Sequence, residues 1–350
     1  MGEIIFPQDS RWSGLLGSAA HDVYHLPAYV AFAARHEGGA AAAFYMEHDG
    51  VRFLSPMLIR DVPDALGAPD GWRDATGPYG YPGPILLPAH DCSVLRQALC
   101  TLQEVGAEHH IVTMFFRLHP LIALPVDVLA EFGELVLHGQ TISIDLSLPE
   151  ETIWARTRQN HKRDINKLTR QGFQAVMDAW EYYEAFVHIY RQTMDRLSAD
   201  TFYHFDRPYF TDLRTALGDC LHLCTVLSPE GEVASGGVFS TVNGIVEYHL
   251  GGTSTKYLPC APSKLMFDHV RRWAAEMGHR IFHLGGGVGC RADSLFDFKA
   301  GFSDLRSNFY TFRMVVDAEK YAALNGLWAE RRRAIDDHAD FFPKYRQLCA

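Results

Sequence analysis

Lys299 follows Phe298 a short way beyond the run Gly285-Gly286-Gly287. Glycines let backbone groups come close to a bound ligand, and one cation in such a place supplies charge to it. Upstream, Glu247-Tyr248-His249 lies on an apolar strand that runs into Gly251-Gly252, and a helix opens at Pro262-Ser263 and stops at Gly278. Strand, glycine turn, helix and strand, in that order, suit a site for a charged ligand. Strand alternation sets Glu247 and His249 on one face and Tyr248 on the other. Either Glu247 or His249 has the chemistry of a general base that takes a proton from an ammonium group. Ser263 and Lys264, at the helix start, are placed to touch a phosphate. Read without that context, Lys299 is a surface lysine behind an aromatic anchor.

Two further stretches carry chemistry. Residues 151–171 are predicted as one helix with six Arg or Lys (Arg156, Arg158, Lys162, Arg163, Lys167 and Arg170) against Glu151 and Asp164. That local excess can meet a polyanion, although by charge alone a solvated helix face is the commoner case. Residues 74–84 pack three prolines, three glycines and two tyrosines into a stiff segment. Little backbone entropy remains to be lost there, so Tyr79 and Tyr81 can be held to stack on or hydrogen-bond a polar ligand. The other reading is a rigid turn whose tyrosines cover the core.

The elements that must position these residues belong to an ordinary globular chain. Its 350 residues suit two medium domains, and 47% hydrophobic with 21% charged content is typical of a water-soluble protein. A net charge of −10 excludes nucleic-acid binding over the whole surface, so any RNA contact must be local. No apolar run approaches the roughly 20 residues of a membrane span, and the N-terminus lacks the pattern of a signal peptide. Seven cysteines without a C-x-x-C pair read as reduced thiols, Cys220 and Cys224 as two buried thiols on a strand, and the expected location is cytoplasmic. No histidine spacing predicts a metal, and no nucleophile elbow, Walker loop or dinucleotide fingerprint appears. Strands are expected at 40–46 and 51–59, and again at 221–227, 233–239 and 244–250, with an amphipathic helix at 24–36 and a helix-rich stretch at 318–338. Two strand-turn-strand sets, each after helical sequence, suggest an internal duplication.

HLGGTS at 249–254, a helix, HLGGG at 283–287 and FKAGF at 298–302 together resemble the Fem-type aminoacyltransferases of the GNAT superfamily. The resemblance spans about residues 20–315. It implies an α/β fold of mixed α+β kind: two tandem GNAT-like domains, each a mostly antiparallel mixed sheet flanked by helices. The first, on the acceptor side, would be residues 1–146 completed by a C-terminal helix 317–350; the second, on the donor side, would be 147–316. By the same resemblance Lys299, with Phe298, lies at the reacting centre, where its charge stabilises the oxyanion formed when an amine attacks an activated carbonyl. Glu247 and His249 sit on the strand that GNAT folds splay open for the donor, with Tyr248 beside them. Arg158, Asn160, Lys162 and Arg163 match a basic segment near donor or acceptor phosphates. Asp74, Tyr79, Tyr81, Arg207 and Tyr209 fall where the family presents its acceptor.

The expected donor is an aminoacyl-tRNA, with an amine on a peptide, peptidoglycan precursor or small molecule as acceptor and no separate cofactor. Acyl-CoA is the alternative donor. Against it, the turn TSTKYLPCAPSKL lacks the glycines of a pyrophosphate loop, and Pro259 and Pro262 remove two N–H donors. The chain departs from some Fem-type enzymes in having no helical coiled-coil arm. A non-catalytic protein that binds glycan or peptide through Tyr79 and Tyr81 is the reading from another class.

Overall fold

The structure, a computed structural model, describes residues 2–89, 91–331 and 340–349. Its strands in chain order are β1 (Gly2–Ile5), β2 (Ala40–His48), β3 (Val51–Asp61), β4 (Arg73–Thr76), β5 (Ile85–Leu87), β6 (Ile111–Arg117) and β7 (Glu134–Asp145). They continue with β8 (Gln174–Met177), β9 (Leu221–Leu227), β10 (Val233–Val242), β11 (Ile245–Thr253), β12 (Ile281–Gly285) and β13 (Leu305–Val315). The α-helices of the first part are α1 (Ser10–Leu16), α2 (Pro27–Glu37), α3 (Cys92–Glu108) and α4 (Val126–Ala130). Those that follow are α5 (Glu150–Arg156), α6 (Gln159–Arg170), α7 (Tyr183–Leu197), α8 (Arg207–Leu217), α9 (Ser263–Glu276), α10 (Ser294–Lys299) and α11 (Ala318–Arg331).

The chain divides into two compact units, Met1–His138 with Phe309–Ala350, and Gly139–Asn308. In the first unit the strand order is β1-β2-β3-β4-β6-β13, and in the second it is β8-β9-β10-β11-β12-β7. Both follow one plan. Four antiparallel strands are joined to a parallel fifth, β6 on β4 or β12 on β11, and an antiparallel sixth follows. A crossover helix, α3 or α9, precedes each parallel strand, since parallel neighbours cannot be linked by a hairpin. The repeated plan supports the duplication that the two strand sets suggested. Asp49-Gly50 and Asn243-Gly244 turn the β2–β3 and β10–β11 hairpins with positive φ at both residues, as tight two-residue loops require.

Each unit has its own core. In the first, Phe44, Phe53, Leu99 and Phe312 are buried between the sheet and α3, and α11 closes a smaller cluster of Leu324 and Trp328 with Leu66, Val112 and Tyr345. In the second, Phe239, Phe267, Phe282 and Phe302 are buried among residues of the sheet, α6 and α9.

Four expectations change. The helix expected at 24–36 is a 3-10 turn at Val23–His25 followed by α2, because Leu26 precedes Pro27 and is held extended. The helix expected at 151–171 is broken into α5 and α6: Thr157 and Arg158 are extended, and the Arg158 N–H goes to the Gly301 carbonyl at 2.8 Å. The C-terminal helix expected over 317–350 is α11 and, after it, a short 3-10 turn at Lys344–Cys349; residues 332–339 and 350 lie outside the described residues. Cys224 is buried on β9, but Cys220 is half-buried in the 3-10 turn before it. Among the described residues no helix is long and apolar enough to cross a membrane.

Candidate active site in the second unit

The site begins where two parallel strands part. β11 and β12 pair at three positions, Ile245 with Ile281, Val246 with Phe282 and Glu247 with His283. Past Glu247, β11 continues to Thr253 along β10, whereas β12 runs on to Gly285 opposite Ile142. At this point His249 is an extra residue in β11, since the consecutive β10 residues Val238 and Phe239 pair with Leu250 and Tyr248 across one register shift. A bulge of this kind re-aims side chains beside a site.

The contacts of these residues separate the two faces of β11. Tyr248 packs on Phe239 and Phe267, on the side of α9. On α8, Tyr209 is buried, stacks on Phe205 at 3.8 Å and places its hydroxyl 3.2 Å from His249 Nε2. Glu247 and His283 are both buried, and His283 Nδ1 lies 2.8 and 2.9 Å from the two carboxylate oxygens. With Glu247 ionised, Nδ1 is the nitrogen that donates to it, because a carboxylate only accepts. The sequence flagged Glu247; its partner is visible only through the strand register.

Lys299 closes α10, whose N-cap Asp293 accepts from the Phe296 N–H. The lysine is 6% exposed, and its Nζ donates to the Gly286 carbonyl at 2.6 Å and sits 5.6 Å from the centre of the Tyr248 ring. Burial pulls its pKa down to about 8, and the Cys290 thiol, Glu247 and Asp293 act in the opposite direction. Burial likewise pushes the Cys290 thiol up to about 11 and the Tyr248 hydroxyl upward, so both are neutral beside the ammonium. Lys299 is therefore a buried cation on an aromatic face, with two N–H groups beyond the one given to Gly286.

The glycines act differently from a phosphate-cradling turn. Gly251 and Gly252 lie inside β11 rather than after it. A Cβ on Gly251 would come 2.5 Å from the Tyr248 hydroxyl, and one on Gly252 would come 2.8 Å from the Ile189 carbonyl of α7. They make room for Tyr248 and for a helix lying against the strand. Gly286 has no such space either: a Cβ there would be 2.9 Å from Cys290 Sγ, so the loop turns tightly and aims its carbonyl at Lys299.

The basic segment docks directly on the FKAGF turn. Arg158 donates through Nη1 to the Asp297 carbonyl at 3.0 Å, and buried His161 meets the Phe298 carbonyl at 2.9 Å between the Phe298 and Phe302 rings. Phe298 itself is half-buried against Phe267 and Phe302. Thus Arg158 and Phe298, expected from distant stretches, are brought together with Lys299, and His161 is the anchor that the sequence reading passed over. Asn160 is exposed and contacts His161, and Arg163 is exposed beside Asp164. Lys162 caps the α5 carbonyl of Ala155.

Several expected contacts lie elsewhere. Lys264 is buried and spent on Asp164 at 2.6 Å, tying α9 to α6 rather than meeting a phosphate, while half-buried Ser263 opens α9 beside it. Arg207 is exposed and paired with Glu184. In the first unit Asp74 is fully buried and bound by Arg60, Tyr345 and Arg346, so it ties the C-terminal segment to the sheet and no ligand reaches it. Tyr79 is fixed through its backbone, its N–H to Glu37 and its carbonyl to the Tyr29 hydroxyl. Tyr81 is half-buried, edge-on to Tyr24 and Phe309.

Comparison with known proteins agrees with this architecture. Residues 155–299 match the acetyltransferase (GNAT) domain family. Among solved structures the chain is similar to FemX, with a TM-score of 0.70 at 13% identity over 92% of this chain and 99% of that one. L-PGS from Bacillus licheniformis has a TM-score of 0.56 at 14% identity over 95% and 99%. A DUF2156 domain from Agrobacterium fabrum has a TM-score of 0.55 at 12% identity over 90% and 94%. No curated protein matches the chain in sequence. In fold the chain is similar to FemX, and residues 155–299, which lie in its second unit, match the acetyltransferase (GNAT) domain family.

Proposed function

We propose that the protein forms an amide by moving an aminoacyl group from aminoacyl-tRNA to an amine on a peptide, a peptidoglycan precursor or a small natural product. One observation carries the reading: a buried ammonium, Lys299, held on the Gly286 carbonyl and the Tyr248 ring beside the parting of β11 and β12. The acceptor ammonium loses a proton to a base, for which Glu247 and His249 are the candidates. The free amine attacks the ester carbonyl, and Lys299 donates to the oxygen as its negative charge grows. The C–N bond forms, the C–O bond to the tRNA ribose breaks, and the ribose oxygen leaves as a hydroxyl carrying the proton that the attacking nitrogen sheds. Ester aminolysis is downhill, so positioning supplies most of the rate. Arg163 and Lys167, exposed one turn apart on α6, are the cations assigned to the tRNA phosphates in an otherwise acidic chain.

Acyl-CoA is the rival donor, favoured by the match to an acetyltransferase domain. Pro259 and Pro262, ahead of α9, weigh against it because they remove N–H groups where a pyrophosphate would bind. The deciding experiment supplies a radiolabelled aminoacyl-tRNA pool with cell extract and follows label into alkali-resistant amide. Arg163→Glu with Lys167→Glu should weaken binding to charged tRNA and lower its salt slope by about one per cation lost. Calorimetric binding of CoA at micromolar concentration, with no label transferred from tRNA, would move the assignment to the rival.

A further inference from the structure

The first unit contains a cavity of about 890 Å³ at the starts of β2 and β4 and the end of β3. Its volume is that of a small-molecule site. None of the candidate catalytic, donor or acceptor residues lines it. Its charged wall is built from Arg60, Arg73 and Arg346, with Asp61 and Glu37 as the acids. Phe6 and Phe341, both exposed, form an apolar rim.

The arginines are fixed before any ligand arrives. Arg60 and Arg346 grip the two oxygens of one fully buried carboxylate, Asp74, and Arg346 also donates to the Asp61 carbonyl at 2.6 Å. A Cβ on Gly39 would come 2.7 Å from Arg60 Cγ, so the backbone entering β2 lies against the stem of that arginine. Asp74 neutralises one of these two guanidiniums and Asp61 pairs with Arg73 at 3.3 Å, which leaves one positive charge unmatched. Glu37 makes no ion pair with these arginines among the described residues; its carboxylate accepts the Tyr79 N–H. Burial and the Arg346 charge pull the Arg60 pKa down against the opposing pull of Asp74, and an anion in the cavity would offset the repulsion between the two guanidiniums. Neither Arg60 nor Arg346 has a partner at Nη1 among the described residues, and planar forks with spare N–H groups suit oxyanions.

We propose that this cavity binds a small organic oxyanion, a phosphate or carboxylate joined to an apolar body, through Arg60, Arg73 and Arg346. The site lies within the first unit and stands whether or not the second unit transfers an aminoacyl group. Titration calorimetry of the full chain with phenyl phosphate, benzoate, inorganic phosphate and phenol tests it. Saturable binding of phenyl phosphate or benzoate, tighter than phenol, is expected, and which of the two binds tighter identifies the oxyanion. Arg73→Ala should weaken it about tenfold, and this variant should fold because both Arg73 and Asp61 are largely exposed. Phe6→Ala should weaken phenyl phosphate several-fold while leaving inorganic phosphate unchanged, and Lys299→Met should alter neither. Absence of saturable binding, or binding that Arg73→Ala leaves intact, overturns the proposal.

Discussion

Replacing Lys299 with methionine should separate stability from turnover. The ammonium is 6% exposed, and burial takes its pKa from 10.5 to about 8. One pH unit of displacement corresponds to about 1.4 kcal/mol, so keeping this charge in the fold costs about 3 kcal/mol at neutral pH. Methionine fills similar space without charge but leaves the Gly286 carbonyl without its donor, a loss of about 1–2 kcal/mol. Lys299→Met is therefore expected to be about 1–2 kcal/mol more stable than the parent at pH 7 in urea unfolding, while kcat for amide formation falls roughly 10²-fold. The folded pKa lies below the unfolded one, so the parent's penalty is complete below pH 8 and fades as pH rises to 10.5. The stability gap between variant and parent should close across that window. A variant that loses stability at pH 7 yet keeps its turnover would refute the reasoning, because Lys299 would then be a strut for the Gly286 loop.

Two other substitutions probe neighbouring claims. Asp74→Ala leaves Arg60 and Arg346 side by side without their carboxylate and should cost about 3–5 kcal/mol in denaturant unfolding; full stability with weaker acceptor binding would restore Asp74 as a ligand contact. Gly251→Ala places a methyl 2.5 Å from the Tyr248 hydroxyl. The ring must move off Lys299, so turnover should drop at least tenfold with the circular dichroism spectrum unchanged, and normal turnover would show that Tyr248 has no part in the site.

Much of this protein was legible in one dimension because the relevant physics is local. The hairpins announced themselves through alternating apolar runs around Asp49-Gly50 and ahead of Ile245, since period and turn chemistry act over a few residues. The motif order around Glu247 and Lys299 likewise pointed to a GNAT fold, with which the strand order of the second unit agrees. Whether a charged residue is open to a ligand is a different kind of question. Asp74, Lys264 and Lys299 are all buried ionisable groups, yet two are held by opposite charges and one by a carbonyl and an aromatic ring. Nothing near them in sequence distinguishes the three. Their partners arrive from residues 60, 164, 286 and 346, and burial decides the charge only once those segments have packed. Residue types set which chemistry was available to the chain; long-range packing chose where it is exposed, because desolvation and pairing depend on neighbours that the backbone brings together only when folded.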